Sequence, residues 1–295
     1  MLIPVAVIGA GPAGTMAALQ LKRSGIDFLL LEKSAVGGLL HEANLVENFP
    51  GSARAVPGKT LAALMKRQLA MAGITIEKGD VRQVSFRDGR FMVRTEKRDY
   101  LAAKVILASG TRPLPPGPPW ESLQARGRLF QSVIPLLSLR GKTIAVIGGG
   151  DAACDYALNL ARKNTVHVVI RSGNPCALPL LLDRCRRHPR IFIHESFQPA
   201  EVILRARAAS IVLKGPAPQA GQENEIACHR VLCAIGRAPA LNFLDAGLQA
   251  SLTELQGQKK IYVIGDAGNG RFRQAAIAAA DGLRSAMEIY AGETK

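Results

Sequence analysis

Paired cysteine is the first thing this sequence lacks. Its five cysteines are Cys154, Cys176, Cys185, Cys228 and Cys233, and no two are spaced as Cys-x-x-Cys. An odd number without that spacing argues against a disulfide framework and against a zinc or iron–sulfur site, so no metal is expected. Aromatic residues make up only 5% of the chain and no nucleic-acid-binding motif is present, which counts against nucleic acid as a partner. No apolar run reaches the roughly 18 residues that a membrane helix needs, so no membrane partner is expected. The N-terminus has no basic leader and runs straight into an apolar strand. That argues against a signal peptide and for a cytoplasmic protein. Acidic residues are few, 23 against 38 basic ones, for a net charge of +15. Such a surface is either simply solvated or suited to an acidic partner.

Glycine, in contrast, is plentiful and placed. Val5–Ile8 leads into Gly9-Ala10-Gly11-Pro12-Ala13-Gly14, and Thr143–Ile147 leads into Gly148-Gly149-Gly150-Asp151-Ala152-Ala153. Each stretch reads as a strand entering a helix through a tight turn. The first glycine permits the turn, and the second lets the backbone approach a pyrophosphate. The third small residue brings helix and strand close. One such turn suits any nucleotide. Two in one chain imply two dinucleotides, with electrons passing between them. Glu32 ends the strand that follows the first helix, where a carboxylate accepts hydrogen bonds from a ribose.

Periodicity and turn signals predict strands at 3–8 and 28–31, helices at 12–24 and 61–72, a hairpin of 81–86 with 91–95 around Asp88-Gly89, and a strand at 104–107. Proline and glycine crowd 112–120, which reads as a linker. The plan then repeats with strands at 143–147, 166–170 and 191–194 and helices at 152–162 and 177–187. Two antiparallel strands are expected at 211–213 and 231–234, with a polar loop tip at 219–225. A strand at 261–264, Gly265-Asp266 and a helix over about 274–290 read as a return to the first unit. The expected fold class is α/β, with two Rossmann-like dinucleotide-binding domains, the second inserted in the first. The first domain would span 1–111 and 236–295, and the second 112–235.

In this order the residues resemble the low-molecular-weight thioredoxin reductase family of FAD- and pyridine-nucleotide-dependent oxidoreductases, over nearly the whole chain. The likeness runs through Gly9–Gly14 with Glu32, Gly37-Gly38, Glu47-Asn48-Phe49-Pro50-Gly51 and Ala108-Ser109-Gly110. It continues through Gly148–Ala153, Ala234–Pro239, Gly265-Asp266-Ala267 and Arg273-Gln274-Ala275. The resemblance implies FAD in the first domain, NADPH or NADH in the second, and a homodimer. On the FAD side it points to Gly9, Gly11, Pro12, Ala13, Gly14, Glu32, Lys33, Gly37, Gly38, Leu39, Asn48, Val81, Ala108, Ser109, Gly110, Gly265, Asp266, Arg273, Gln274 and Ala275. Asp266 would meet the ribityl–phosphate part, and Arg273–Ala275 the flavin ring. On the nicotinamide side it points to Gly148, Gly150, Asp151, Ala152, Ala153, Arg171, Ser172, Ile235, Gly236 and Arg237. No side chain is cast as acid, base or nucleophile, because the chemistry belongs to the flavin.

Two departures bear on function. Thioredoxin reductases carry a redox Cys-x-x-Cys just before the second glycine turn, whereas Gly127–Pro135 holds no cysteine. Disulfide reduction by attack and resolution needs both thiols. In this respect, and over Gly150–Leu158, the chain is similar to thioredoxin-reductase-like ferredoxin–NADP reductases. The expected function is therefore an NAD(P)H oxidoreductase passing electrons through FAD to a soluble carrier, ferredoxin or flavodoxin. Two alternatives stay open. One is a dithiol–disulfide oxidoreductase using non-standard cysteines, and the other a flavin-binding subunit or sensor whose nicotinamide site has decayed. The second departure is the 2′-phosphate clamp, which here reads Ile170-Arg171-Ser172, with Cys176 where a further arginine is common. One cation remains, which leans towards NADPH.

Overall fold

The computed structural model describes residues 2–51, 54–120, 123–124, 126–205, 210–216 and 223–293. The chain opens with β1 (Leu2–Ile8), α1 (Pro12–Arg23), β2 (Phe28–Glu32), α2 (Gly58–Met71), β3 (Ile76–Lys78), β4 (Val81–Arg87), β5 (Arg90–Thr95), β6 (Asp99–Leu107) and β7 (Thr111–Pro113). It continues with β8 (Leu129–Phe130), β9 (Thr143–Ile147), α3 (Asp151–Ala161), β10 (Thr165–Val169), α4 (Pro179–Arg187) and β11 (Ile191–His194). Then follow β12 (Glu201–Arg205), β13 (Ser210–Pro216), β14 (Glu223–Cys228), β15 (Arg230–Cys233) and β16 (Arg237–Pro239). Helix α5 (Ala246–Gly257), strand β17 (Ile261–Val263) and helix α6 (Ala275–Glu293) close the chain.

Two compact units result. The first runs to His41, resumes over Val46–Arg112 and takes up the chain again from Ala238. The second holds Pro113–Arg237 together with the short segment Glu42–Leu45. The boundary thus falls within two residues of the glycine- and proline-rich crossings, and Glu42–Leu45 changes sides.

The first unit is built on a seven-stranded sheet, ordered β3-β2-β1-β6-β5-β4, with β17 also paired to β6. Strands β3, β2, β1, β6 and β17 are parallel, and β4 and β5 are antiparallel. Val5–Ile8 and Val105–Leu107 are buried, as continuous apolar runs must be when both sheet faces are covered. Helix α1 starts on Pro12, whose missing N–H is no loss in a first turn. Its buried stripe is mostly small: Ala13, Gly14, Ala17 and Ala18. Gly282 of α6 lies so close to this stripe that a Cβ there would stand 2.1 Å from the Ala13 carbonyl oxygen.

The second unit has a wholly parallel sheet, β11-β10-β9-β15-β8, and a separate antiparallel sheet, β12-β13-β14. One face of the parallel sheet packs on α3 through Ile144, Val146, Val166 and Val168. Ala145, Ile147, Val169 and Val231 belong to a second cluster with Phe197, Ile211 and Leu213.

The pairing expected of 231–234 with 211–213 is corrected. β15 is an inner strand of the parallel sheet, and β13 lies between β12 and β14. A short apolar run fits either setting, so periodicity could not separate them. The expected loop tip at 219–225 lies partly outside the described residues, and Glu223–Glu225 belongs to β14. Helix α5 was not foreseen. Its signal is Asp245, whose side chain accepts the Leu248 N–H at 2.8 Å and caps the helix. No helix among the described residues is long and apolar enough to cross a membrane.

A histidine pair gives the second unit an acid-sensitive seam. His167 Nδ1 and His194 Nε2 stand 2.9 Å apart on neighbouring strands, with one nitrogen donating to the other. Burial, and then the neighbouring His194, push His167 down to about 4. Burial also lowers His194. Between the ordinary value of 6.5 and about 4 the unfolded chain binds protons that the folded chain refuses. Stability should therefore fall on acidification through that window and stay flat above it. In thermal unfolding, the midpoint of wild type should drop by several degrees from about pH 7 to about pH 5, and that of His167→Phe clearly less. Parallel slopes for the two proteins would remove the pair as the cause.

Candidate functional site

In the first unit the glycine turn is a cradle without room for side chains. Gly9 has φ +101° and a virtual Cβ only 2.4 Å from the Ala108 carbonyl oxygen. At Gly14 the Cβ would lie 1.8 Å from the Gly9 oxygen. Gly11 differs: a Cβ there meets nothing within 4 Å. The turn thus holds space open at the position where a pyrophosphate would approach the N-terminus of α1.

Hydrogen bonds and close packing tie several of the expected residues to the turn or to one another. Glu32 Oε2 accepts the Ala10 N–H at 2.7 Å, and its Oε1 accepts the Ser34 N–H at 2.8 Å. A carboxylate has about four acceptor sites, so capacity remains for ribose hydroxyls. The Gly37 N–H donates to the Ala10 oxygen at 2.8 Å, folding Gly37-Gly38 and Leu39 back onto the turn. Asn48 Nδ2 donates to Gln274 Oε1 at 3.0 Å, joining two segments far apart in sequence. Gly265, with φ +62°, packs against Ala13, and its N–H donates to Asp281. Asp266 follows in the same short turn, and Arg273-Gln274 lead into α6, which starts at Ala275.

Some expected residues are engaged elsewhere. The Ser109 hydroxyl donates to the Ala240 oxygen at 2.8 Å, so it ties the returning chain, while Ala108 forms the wall beside Gly9 and Gly110 turns the chain at φ +67°. Val81 is half-buried against the core at the start of β4, which leaves mainly its backbone for a ligand. Lys33 is exposed. His41, outside the expected set, ends the short 3-10 helix Gly38–His41, and its Nε2 is bonded to the Val36 oxygen at 2.8 Å. Asp281, missed in the sequence, braces the Gly265 turn through Gly265 and Asn269.

The second unit repeats the cradle with different stops. At Gly148 a Cβ would lie 2.3 Å from the Ala234 oxygen, and at Gly149 2.7 Å from Ile170 Cγ2. Gly150 has only Cys176 Sγ at 3.6 Å, an ordinary contact. Ala153 is buried under the turn, and Ala152 is exposed. The loop after β10 folds over this turn, with the Cys176 N–H donating to the Gly149 oxygen at 2.9 Å. Asp151 Oδ1 accepts the Leu178 N–H at 2.7 Å and so anchors that loop. Arg171 and Ser172 are exposed on it, and Ser172 Oγ donates to the Asn174 oxygen. Ile235 and Gly236 are exposed after β15, and Arg237 is half-buried.

The cysteines are not arranged for a surface relay. Cys154, Cys185, Cys228 and Cys233 are buried, and Cys176 is exposed. Burial pushes the Cys228 and Cys233 thiols up to about 12. They sit on consecutive strands and share one core cluster. Cys185 Sγ lies 3.6 Å from the Cys154 carbonyl oxygen. Its hydrogen bond to the Cys154 thiol holds the Cys185 proton well above the usual thiol range, and burial adds to this. Among the described residues no cluster of three or more His, Cys, Asp or Glu suits a metal ion.

The sequence profile of the pyridine nucleotide-disulphide oxidoreductases matches residues 3–282. The chain belongs to that family. It is 31% identical over 294 residues to the thioredoxin reductase of Treponema pallidum, covering 96% of this chain and 94% of the relative. Among solved structures, the thioredoxin reductase of Lactococcus lactis superposes with a TM-score of 0.84 at 25% identity, covering 98% of each chain. The thioredoxin reductase of T. acidophilum also superposes at 0.84, with 24% identity, which supports the fold. The cofactors are those of the family, FAD and NADPH. The open space at Gly11, the inward Glu32 and the second cradle fit two dinucleotides. The activity class is that of an FAD-dependent NADPH oxidoreductase. These relatives lend no support to a ferredoxin or flavodoxin partner, and favour the alternative of thioredoxin-reductase-type chemistry.

Proposed function

We propose that this protein is a thioredoxin-reductase-type FAD-dependent NAD(P)H oxidoreductase whose acceptor is reduced at the flavin, without a cysteine relay on the chain. The observation that carries this reading is the state of the thiols. Gly127–Pro135 has none, four of the five cysteines are buried, and the exposed Cys176 has no partner thiol beside it among the described residues. FAD, when bound, supplies the two-electron step from the nicotinamide and the onward transfer. The chain positions it. Gly9, Gly11 and Gly14 would admit the FAD pyrophosphate, Glu32 would hold its ribose, and Asp266 with Arg273–Ala275 would face the ribityl chain and ring. Gly148, Gly150 and Ala152-Ala153 would admit the nicotinamide dinucleotide, with Ile235-Gly236-Arg237 beside it. Five unbridged cysteines suit a reducing compartment, so we place the protein in the cytoplasm; its likeness to thioredoxin reductases supports a homodimer.

A second reading has one observation in its favour. Cys154 and Cys185 touch, and the relatives are thioredoxin reductases, so a dithiol–disulfide enzyme using that buried pair is the rival. Replacing all five cysteines by serine separates the two. NADPH-driven reduction of ferricyanide by the flavin should persist within about twofold, since no thiol takes part. NADPH-dependent thioredoxin reduction by wild type that vanishes in the variant would establish the rival.

Arg171 is the candidate determinant of nicotinamide preference. It is exposed on the loop that covers the second cradle. A charge-assisted contact to a 2′-phosphate contributes about 1.5–3 kcal/mol, or roughly 10- to 150-fold in affinity. Arg171→Ala should weaken NADPH by that factor and leave NADH nearly unchanged in reductive titrations. Equal losses for both would assign Arg171 to the loop's own stability.

A further inference from the structure

The second unit has an open depression of about 370 Å³ that shares Arg237 with the nicotinamide-side residues and otherwise holds no residue of either cradle. Its apolar walls are Pro113, Leu129, Phe130 and Pro135, and its polar rim carries Glu42, Ser132 and Arg237. It lies on the cysteine-free stretch between Gly127 and Pro135. Ligand sites span about 300–1,000 Å³, so this one suits a molecule of one or two rings.

The rim limits the ligand's chemistry. Glu42 and Arg237 carry opposite charges, so the cavity as a whole favours a neutral ligand over an anion. Tyr156 OH donates to Glu42 Oε2 at 2.6 Å, a short charge-assisted bond. Burial, and then the Glu42 charge, hold the Tyr156 phenol above its ordinary range, while the charge on Arg237 acts on the same phenol in the opposite sense. Glu42, Tyr156 and Arg237 are therefore one electrostatic group. Its fixed elements are a hydroxyl that keeps its proton, a carboxylate that accepts and a guanidinium that donates. Phe130, Pro113 and Pro135 give the lining apolar surface against which a planar ring can pack.

We propose that this cavity binds a small neutral quinone as an electron acceptor. Arg237 would donate to one carbonyl oxygen and meet the negative charge that gathers there on reduction. Glu42 would accept from the hydroxyl of the product. The overall step balances as NAD(P)H + H⁺ + quinone giving NAD(P)⁺ + hydroquinone. Two electrons convert both C=O groups to C–O⁻ and make the ring aromatic. The two oxygens take up two protons, one derived from NAD(P)H and one from solvent. The inference that the ligand is reduced rests on the function proposed above; the inference that it binds does not.

Binding is tested on the FAD-loaded protein without nucleotide. In equilibrium dialysis, 2-methyl-1,4-naphthoquinone should bind wild type. Ser132→Phe, which fills the cavity, should weaken that binding at least tenfold while flavin content and ferricyanide reduction stay unchanged. The KM for the quinone in NADPH-driven turnover should rise by a similar factor. A photoreactive azidonaphthoquinone should label wild type on the tryptic peptide Leu129–Arg140, a result that does not depend on the variant's folding. Undiminished binding to a folded Ser132→Phe, labelling only outside Leu129–Arg140, or suppression of the label by NADP⁺ would each overturn the proposal. The last result would give the cavity to the nicotinamide. Failure of NADPH to reduce the flavin would sink the proposed function instead, and dialysis and labelling would still decide the binding.

Discussion

Gly11→Val should give a folded, colourless protein. The backbone at Gly11 is extended, with φ −69° and ψ −174°, so valine is free to adopt it. A Cβ there meets no protein atom within 4 Å, so the fold is not strained. The added methyl groups would stand in the space a pyrophosphate needs to reach the first turn of α1. Overpacking costs about 1–3 kcal/mol, and loss of close backbone approach adds to it, so FAD affinity should fall by at least about 100-fold. Flavin content after purification and the far-ultraviolet spectrum measure the two halves of this result. A full flavin load would show that the turn does not hold the pyrophosphate. Gly14→Val is the contrast, because its Cβ would overlap the Gly9 oxygen at 1.8 Å and damage the fold itself.

Gly150→Val should leave the protein yellow and nearly blind to nicotinamide. Gly150 is extended, with φ −101° and ψ −179°, and a Cβ there touches only Cys176 Sγ at 3.6 Å. The second unit should keep its fold, and the first unit its flavin. The valine would block the backbone approach that the second dinucleotide requires. The NADPH concentration needed for half-reduction of the flavin should rise by about 100-fold or more, while dithionite reduces it as before. An unchanged NADPH titration would place the nicotinamide dinucleotide elsewhere.

The glycine turns were legible because their geometry leaves no alternative. Gly9 and Gly148 both adopt left-handed φ with a carbonyl oxygen where a side chain would go, and sequence records that constraint directly. The engaged state of Ser109 and Asp151 was not legible. Each sits in a cofactor-like motif, yet each bonds a backbone group, of Ala240 and Leu178, brought up by the fold. The meeting of Cys154 with Cys185 was likewise invisible, since it depends on how α3 packs against α4. The same holds for Glu42, which lies in the first unit's stretch of sequence but bonds Tyr156 in the second unit. Helix α5 carried a readable signal in Asp245. Strands β13 and β15 did not, because a short apolar run fits an edge sheet and a central parallel strand equally well.

The most direct test of a flavin reduced by nicotinamide without a cysteine relay is anaerobic mixing of the purified protein with NADPH, following the flavin absorbance. Bleaching to the fully reduced spectrum with one equivalent of NADPH per flavin, at the same rate in wild type and in the variant lacking all five cysteines, is the expected result. A flavin that stays oxidised with both NADPH and NADH, or uptake of a second equivalent that disappears with the cysteines, would contradict it.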